Sequence, residues 1–425
     1  MKNTMRAGPE NASAGTGSRN PWLFALLTVA ISVPTTALVT VLTLDDRKGP
    51  AARSGPAQQA KLPSPDGSGS ELGVQAGAHQ NVLDQGPIAS VVPTPPLERV
   101  ALPWANGAER VATVDLDGDG CDEVVLGGLT LSVHARDGRQ LASAEGMGAV
   151  QVLVGGEGEV YAGWGWSRAA RVHQAGIVRY QLQGRRLISD IVVEPDAESA
   201  KVSAIVPLDG SLLVAWPIEP YIVGAFRATL GADGEWSLAS WAQERTATAF
   251  AVADLDLDGE DELVVGRAYG DEVGSDGDAW LIDDTGGRTS IPTQRGVRAA
   301  ITADTDGDGQ QEVVLADGWH KNYGKLARAQ VRLVSGSSTG IESIFLDQSP
   351  GDYDVTRLIA DDIDADGRDE IIVVTDKQLR VVELDDGVWT AWTVARNVRD
   401  AAVLHDGEDV WFLVVGEKAS LLKLK

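Results

Sequence analysis

At 425 residues, of which 43% are hydrophobic, the chain is long enough for one large domain or several average ones, and composition alone leaves that choice open. A formal net charge of −26 excludes gripping nucleic acid through its phosphates and favours cationic partners. Cys121 is the only cysteine, which excludes an internal disulfide, a CxxC metal knuckle and dithiol redox chemistry.

In chain order, residues 1–20 are polar with Lys2, Arg6 and Arg19 as their basic residues, and they read as a cytoplasmic tail. The run from Trp22 to Leu44 carries no charge. At about 1.5 Å per residue it covers roughly the 30 Å hydrocarbon thickness, so 21–44 predicts one transmembrane helix. A cleaved signal peptide is the competing reading. The apolar run is longer than a usual h-region, however, and no clear small-x-small cleavage site follows before Asp45, which favours a retained signal anchor. Arg47, Lys48 and Arg53 balance the near-side basic residues, so flanking charge does not orient the span. From Asp45 to Pro96 the sequence is rich in Gly, Ala, Pro, Ser and Gln. A stretch with so few aliphatics cannot bury enough surface to fold and predicts a disordered linker at 45–96.

From Leu97 to the end a unit recurs at 50–60-residue intervals in its best-spaced copies. Its strongest copies are Val111-ATVDLDGDGCDEVVLGG, Phe250-AVADLDLDGEDELVVGR, Ala299-AITADTDGDGQQEVVLAD and Leu358-IADDIDADGRDEIIVVTD. Each is an apolar strand, an acidic loop and a second apolar strand. The first aspartates stand at Asp115, Asp254, Asp304 and Asp362, so the gaps are 139, 50 and 58 residues. The long gap has room for two more units, and Val150 to Gly163 and Val202 to Trp216 keep the strand-turn-strand pattern without the aspartates. Ala401 to Gly416 is a third degenerate copy, which makes seven. Units this short cannot bury their own faces, so 97–425 predicts an all-β, seven-bladed β-propeller. The last unit ends after three strands, and Arg99-VALPW reads as the strand that completes it from the N-terminal side.

In the four strong loops carboxylates occupy positions one, three, five and nine, with Gly at six. They are Asp115, Asp117, Asp119 and Glu123; Asp254, Asp256, Asp258 and Glu262; Asp304, Asp306, Asp308 and Glu312; and Asp362, Asp364, Asp366 and Glu370. The backbone carbonyls of Cys121, Glu260, Gln310 and Arg368 stand at position seven. Alternate carboxylates this close repel one another unless a hard cation collects them, and Gly at six permits the turn around it. An all-oxygen set fits Ca²⁺ better than magnesium, which demands a stricter octahedron, or a transition metal, which favours His or Cys. Four ions, with a structural role, would move the formal charge from −26 to −18. An EF-hand starts the same way but ends on an acid at position twelve, where this chain has Leu126, Val265, Leu315 and Val373 inside β-type runs.

This pattern resembles the FG-GAP (VCBS-type) repeat of integrin α-subunit propellers and many bacterial surface proteins. The resemblance covers about 97–425, is strong in four units and weak in three, and leaves out the anchor and the linker. It implies calcium at the sixteen acidic positions and a recognition or adhesion module; the apolar run at 21–44 adds the expectation that this module is membrane-anchored. Millimolar calcium outside the cytoplasm would place the propeller in the periplasm or outside the cell.

Loops between the second and third strands of each blade share the opposite face. They carry Trp164, Trp166, Trp216, Tyr221, Tyr269, Trp319, His320 and Tyr323, a candidate surface for a protein or carbohydrate ligand. Some of these aromatics would equally fill the space between blades. No catalytic residues are assigned. His134, His173, His320 and His405 are scattered, and no nucleophile elbow or His-rich zinc motif is present. A polysaccharide lyase or hydrolase and a non-catalytic envelope scaffold stand as alternatives to recognition.

Overall fold

The computed structural model describes residues 87–425 apart from 166–174, 197–201, 203, 209, 220–221, 246, 268–278, 284, 292, 294–295, 318–329, 338–339, 349–354 and 408. The predicted tail, span and most of the linker lie outside the described residues. Seven sheets of antiparallel strands follow one another along the chain, as the repeats predict. Blades I to VI run over 110–145, 149–196, 204–245, 247–291, 299–348 and 355–396. In each, strand follows strand in sequence order from the inner edge to the rim. The first strand of every blade touches the first strand of the next, and that of blade VII (398–424) touches that of blade I, so the seven blades form a closed propeller.

Each blade is a sheet with two faces, and neither neighbour alone can cover both. Clusters of buried apolar side chains therefore lie in the seams, one at each of the seven junctions among the described residues. The second strands touch both seams and read as continuous apolar runs; every residue of Glu262–Arg267, Glu312–Asp317 and Glu370–Thr375 is buried. The rim strand Val388–Arg396, by contrast, mixes exposed and buried positions. That contrast is what a stack of half-exposed and fully covered strands requires.

Blade VII draws its rim strand from the start of the domain. Leu97–Ala101 pairs antiparallel with Ser420–Leu424, in a register that sets Leu97 opposite Leu424 and Glu98 opposite Lys423. Ring closure through both chain ends thus removes an open edge that would otherwise template aggregation.

The predicted linker ends earlier than Pro96. Ile88 and Ala89 donate their amides to Phe345 and Leu346 on the rim of blade V (3.1 and 2.9 Å). Ser90–Val91 then adds a short parallel strand to the rim of blade VI, opposite Thr390 and Ala391. Ala89 is buried in the V/VI seam, while Val92 packs against the VI/VII seam. Pro93, Pro95 and Pro96 lack the amides to extend this pairing. A proline-rich composition excludes a core of its own but not a docking strand on an existing rim, which is why 88–92 is ordered against the propeller.

Candidate metal centres

All four acidic loops join the first and second strands of their blades, so all emerge on one face. In each, the position-one aspartate turns back on its own loop. In blade I, Asp115 accepts the amides of Gly118 and Asp119 on Oδ1 (2.7 and 3.1 Å) and that of Gly120 on Oδ2 (2.9 Å). Asp254, Asp304 and Asp362 accept the matching position-six amide at 2.9 Å each. The position-nine glutamate starts the second strand and is buried (2–8% exposed). It reaches across the loop to the position-two amide at 2.8–2.9 Å.

Position six is glycine at φ 84–92° in all four loops, as the turn requires. Position four is also left-handed, and two of its occupants carry side chains, Leu257 (φ 64°) and Ala365 (φ 61°). Holding a non-glycine residue there costs about 1–2 kcal/mol, so the loop geometry is imposed by its hydrogen bonds and neighbours rather than by local preference.

These turns bring carboxylates together. In blade IV, Asp254, Asp256, Asp258 and Glu262 each offer an oxygen within 4.8 Å of the others. Three acids converge in the remaining loops: Asp115, Asp117 and Glu123; Asp304, Asp306 and Asp308; Asp362, Asp364 and Glu370. The sites therefore differ from the uniform four-acid set of the repeat. Asp119 lies outside its group, although it accepts the position-seven amide, that of Cys121 (2.9 Å), as its counterparts do. Glu312 is held by the amide and hydroxyl of Thr305 (2.9 and 2.8 Å). Asp366 is ion-paired with Arg368 (2.7 Å), whose guanidinium also donates to the Leu384 carbonyl (2.8 Å). At position seven the amides of Glu260, Gln310 and Arg368 bond to the position-five carboxylate at 2.8–2.9 Å.

The buried glutamates of these loops hold their protons more tightly than free carboxyls. Burial pushes the Glu123 carboxyl up to about 7 and the Glu370 carboxyl to about 8, with nearby aspartates adding to the rise and the position-two amide opposing it. Glu262, Glu312 and Asp364 move the same way, again chiefly through burial. Among the described residues Arg368 is the only cation paired with any of the sixteen carboxylates. The donor set is all oxygen, so these clusters can hold a metal ion.

Position eight carries a role that the repeat pattern does not reveal. Asp369 and Asp122 are not ligands but reach back to the preceding blade. Asp369 exchanges two hydrogen bonds with the backbone of Asp304 in blade V. Asp122 does the same with His405 in blade VII, at 2.7 and 2.9 Å. Asp261 lies 3.9 Å from Arg227 of blade III. Asp at position eight in three of the four loops was the available signal.

His405 lies near the end of the inner strand of blade VII, Val398–Asp406, and faces the mouth of the ring. There a cavity of about 740 Å³ is lined by Asp115, Asp122, Glu157, Asp361 and His405 among others. Its Nε2 lies 3.2 Å from Asp361 Oδ2, and that hydrogen bond, with the nearby acids, raises the imidazole above its ordinary value. The degenerate seventh copy had offered only a histidine where the strong copies begin their acidic loop.

The expected aromatic face is corrected at Trp164. Its side chain is wholly buried (0% exposed) in the seam between blades I and II, against Val150, Val178 and Tyr180. On a strand whose residues from Val160 to Gly165 are all buried, a large indole fills the seam rather than facing solvent. Trp216 is partly buried against the seam of blades II and III. Trp166, Tyr221, Tyr269, Trp319, His320 and Tyr323 lie outside the described residues. His134 is buried and stacked on Trp104 with ring centres 4.9 Å apart, a packing role.

Fold and loops together define a seven-bladed β-propeller carrying four acidic clusters on one face, an architecture suited to a binding or scaffold module. No protein-family model matches the chain, and no curated protein matches it either.

Proposed function

We propose that the chain is a calcium-stapled propeller of the FG-GAP/VCBS type. In this reading an N-terminal span holds it to a membrane and the propeller stands outside the cytoplasm as a recognition or adhesion module for a protein or glycan. The observation that carries the calcium reading is the charge imbalance: of sixteen loop carboxylates, only Asp366 has an ion-pair partner among the described residues. Backbone amides satisfy part of each cluster, but carboxylates within 4.8 Å of one another repel when ionised, and a bound cation relieves that repulsion. Oxygen-only donors in a flexible loop favour Ca²⁺ over softer ions. The recognition reading rests on a rigid ring that presents loops on two faces, and on the aromatic residues that the sequence places in the second-to-third loops.

Thermal unfolding of the chain in calcium and in chelator, with stoichiometry by titration calorimetry, tests the metal. About four ions and a large fall in Tm on chelation are expected, since each site held at a hundred times its Kd adds about 2.7 kcal/mol. An unchanged Tm with no bound calcium would reduce the loops to turns. Glycan and protein arrays probed with the chain, before and after replacing Trp166 and Trp319 by alanine, test recognition. Cleavage of a polysaccharide in place of binding would turn the reading to a lyase or hydrolase.

A further inference from the structure

Of the four acidic loops, two are physically joined. The loops of blades V and VI are adjacent in the ring, and Asp369, between position-seven Arg368 and position-nine Glu370, bonds to the backbone of Asp304, the first acid of the other loop. Its amide donates to the Asp304 carbonyl (2.8 Å), and its Oδ2 accepts the Asp304 amide (2.9 Å). The loops also approach closely at Gly307, where an added Cβ would stand 3.0 Å from Arg368 Cγ and 3.0 Å from the Gly367 carbonyl oxygen. Among the described residues, loops I and IV have no such partner. Their position-eight acids reach blades VII and III, whose own first loops lack the aspartate series. Between loops IV and V no equivalent bond occurs among the described residues, and position eight of loop V is Gln311.

We propose that cation binding at loops V and VI is cooperative, while loops I and IV bind independently. The inference rests on the reading of these loops as metal sites. A cation in loop V fixes Asp304, and with it the amide and carbonyl that Asp369 engages. Asp369 in turn holds the segment carrying Arg368 and Glu370, so part of the ordering required in loop VI is complete before its ion arrives. Linkage makes the effect reciprocal, and couplings between sites typically span about 5–150-fold.

The test is calcium titration of the full chain by calorimetry, with Asp304→Asn and Asp115→Asn as matched variants. Asparagine keeps an oxygen for the loop amides while removing the charge a cation needs. Asp115→Asn should remove one site and leave the other three affinities unchanged. Asp304→Asn should remove one site and weaken a second by at least about five-fold. Adding Asp369→Ala should make the Asp304 substitution cost one site alone. Loss of a single site in Asp304→Asn, with the other three unaltered, overturns the coupling while leaving the metal reading intact. No calcium bound by the unsubstituted chain overturns the metal reading and the coupling with it. Should a variant fail to fold, native mass spectrometry of the unsubstituted chain decides. Cooperative loops populate one doubly loaded step, whereas four independent ions load in a statistical series.

Discussion

Arg380 of blade VI and Asp347 of blade V form a two-pronged ion pair across their seam, Nε to Oδ2 at 3.0 Å and Nη2 to Oδ1 at 2.9 Å. Both side chains are about 1% exposed. Removing one partner from such a pair strands a charge in the core, at a typical cost of about 3–5 kcal/mol. Arg380→Met is expected to destabilise the propeller by that amount in urea unfolding. The double variant Arg380→Met with Asp347→Leu should regain most of the loss, because apolar residues of similar volume replace a buried pair at little cost. A single-variant cost below about 1 kcal/mol would mean that water reaches the seam.

Stability without metal should fall as pH rises. The buried Glu123 and Glu370 keep their protons to about 7 and about 8 in the folded chain, against an ordinary 4.5. Between those values the folded state binds more protons than the unfolded one. The stabilising effect of these protonated groups is therefore complete below about pH 4.5 and lost by about pH 8. On the calcium reading, an ion taken up by these glutamates displaces the same protons. In chelator, Tm should decline from pH 5 to pH 8; added calcium should raise it more at pH 8 than at pH 5. Calorimetry at pH 6 in buffers of different ionisation enthalpy should report proton release, and its absence would count against these glutamates as ligands.

Arg368 competes with any ion for Asp366, since its guanidinium already pairs with that carboxylate (2.7 Å). Replacing it with glutamine frees the acid and removes a positive charge from the loop. Exposed pairs contribute up to about 1 kcal/mol, or about five-fold in affinity. Arg368→Gln is expected to tighten one calcium site by roughly that factor in a competition titration. An unchanged affinity would show that Arg368 yields Asp366 without cost.

Closure by the N-terminal strand predicts a sharp truncation boundary. A chain beginning at residue 88 keeps both the docking strand on blade VI and the closing strand on blade VII. One beginning at residue 103 leaves Ser420–Leu424 as an open edge and uncovers apolar surface in the seam. The first should keep its folded-state Tm and show no aggregate by size-exclusion chromatography, and the second should aggregate or melt at lower temperature. Equal behaviour would mean that three strands suffice for blade VII.

Blade number, blade order and the place of each acidic loop were legible in the sequence because they are local. A strand-loop-strand unit announces itself by apolar runs around a fixed acid spacing, and even the degenerate units near Val150, Val202 and Ala401 keep the runs. The strand that closes blade VII was legible too, by the count of strands left over. The ion pair of Arg380 with Asp347, the bonds of Asp369 to Asp304 and the docking of residues 88–92 were not, since each joins residues distant in the chain. Trp164 shows the same limit from the other side: its position in the repeat suggested a solvent-facing loop, and the seam between two blades buried it. Sequence by itself thus determined the repeating unit and its acidic chemistry, because both arise within about twenty residues of chain. Only the closed ring decided which loops touch, which aromatic is covered and which acids face one another, because those contacts form when blades pack side by side.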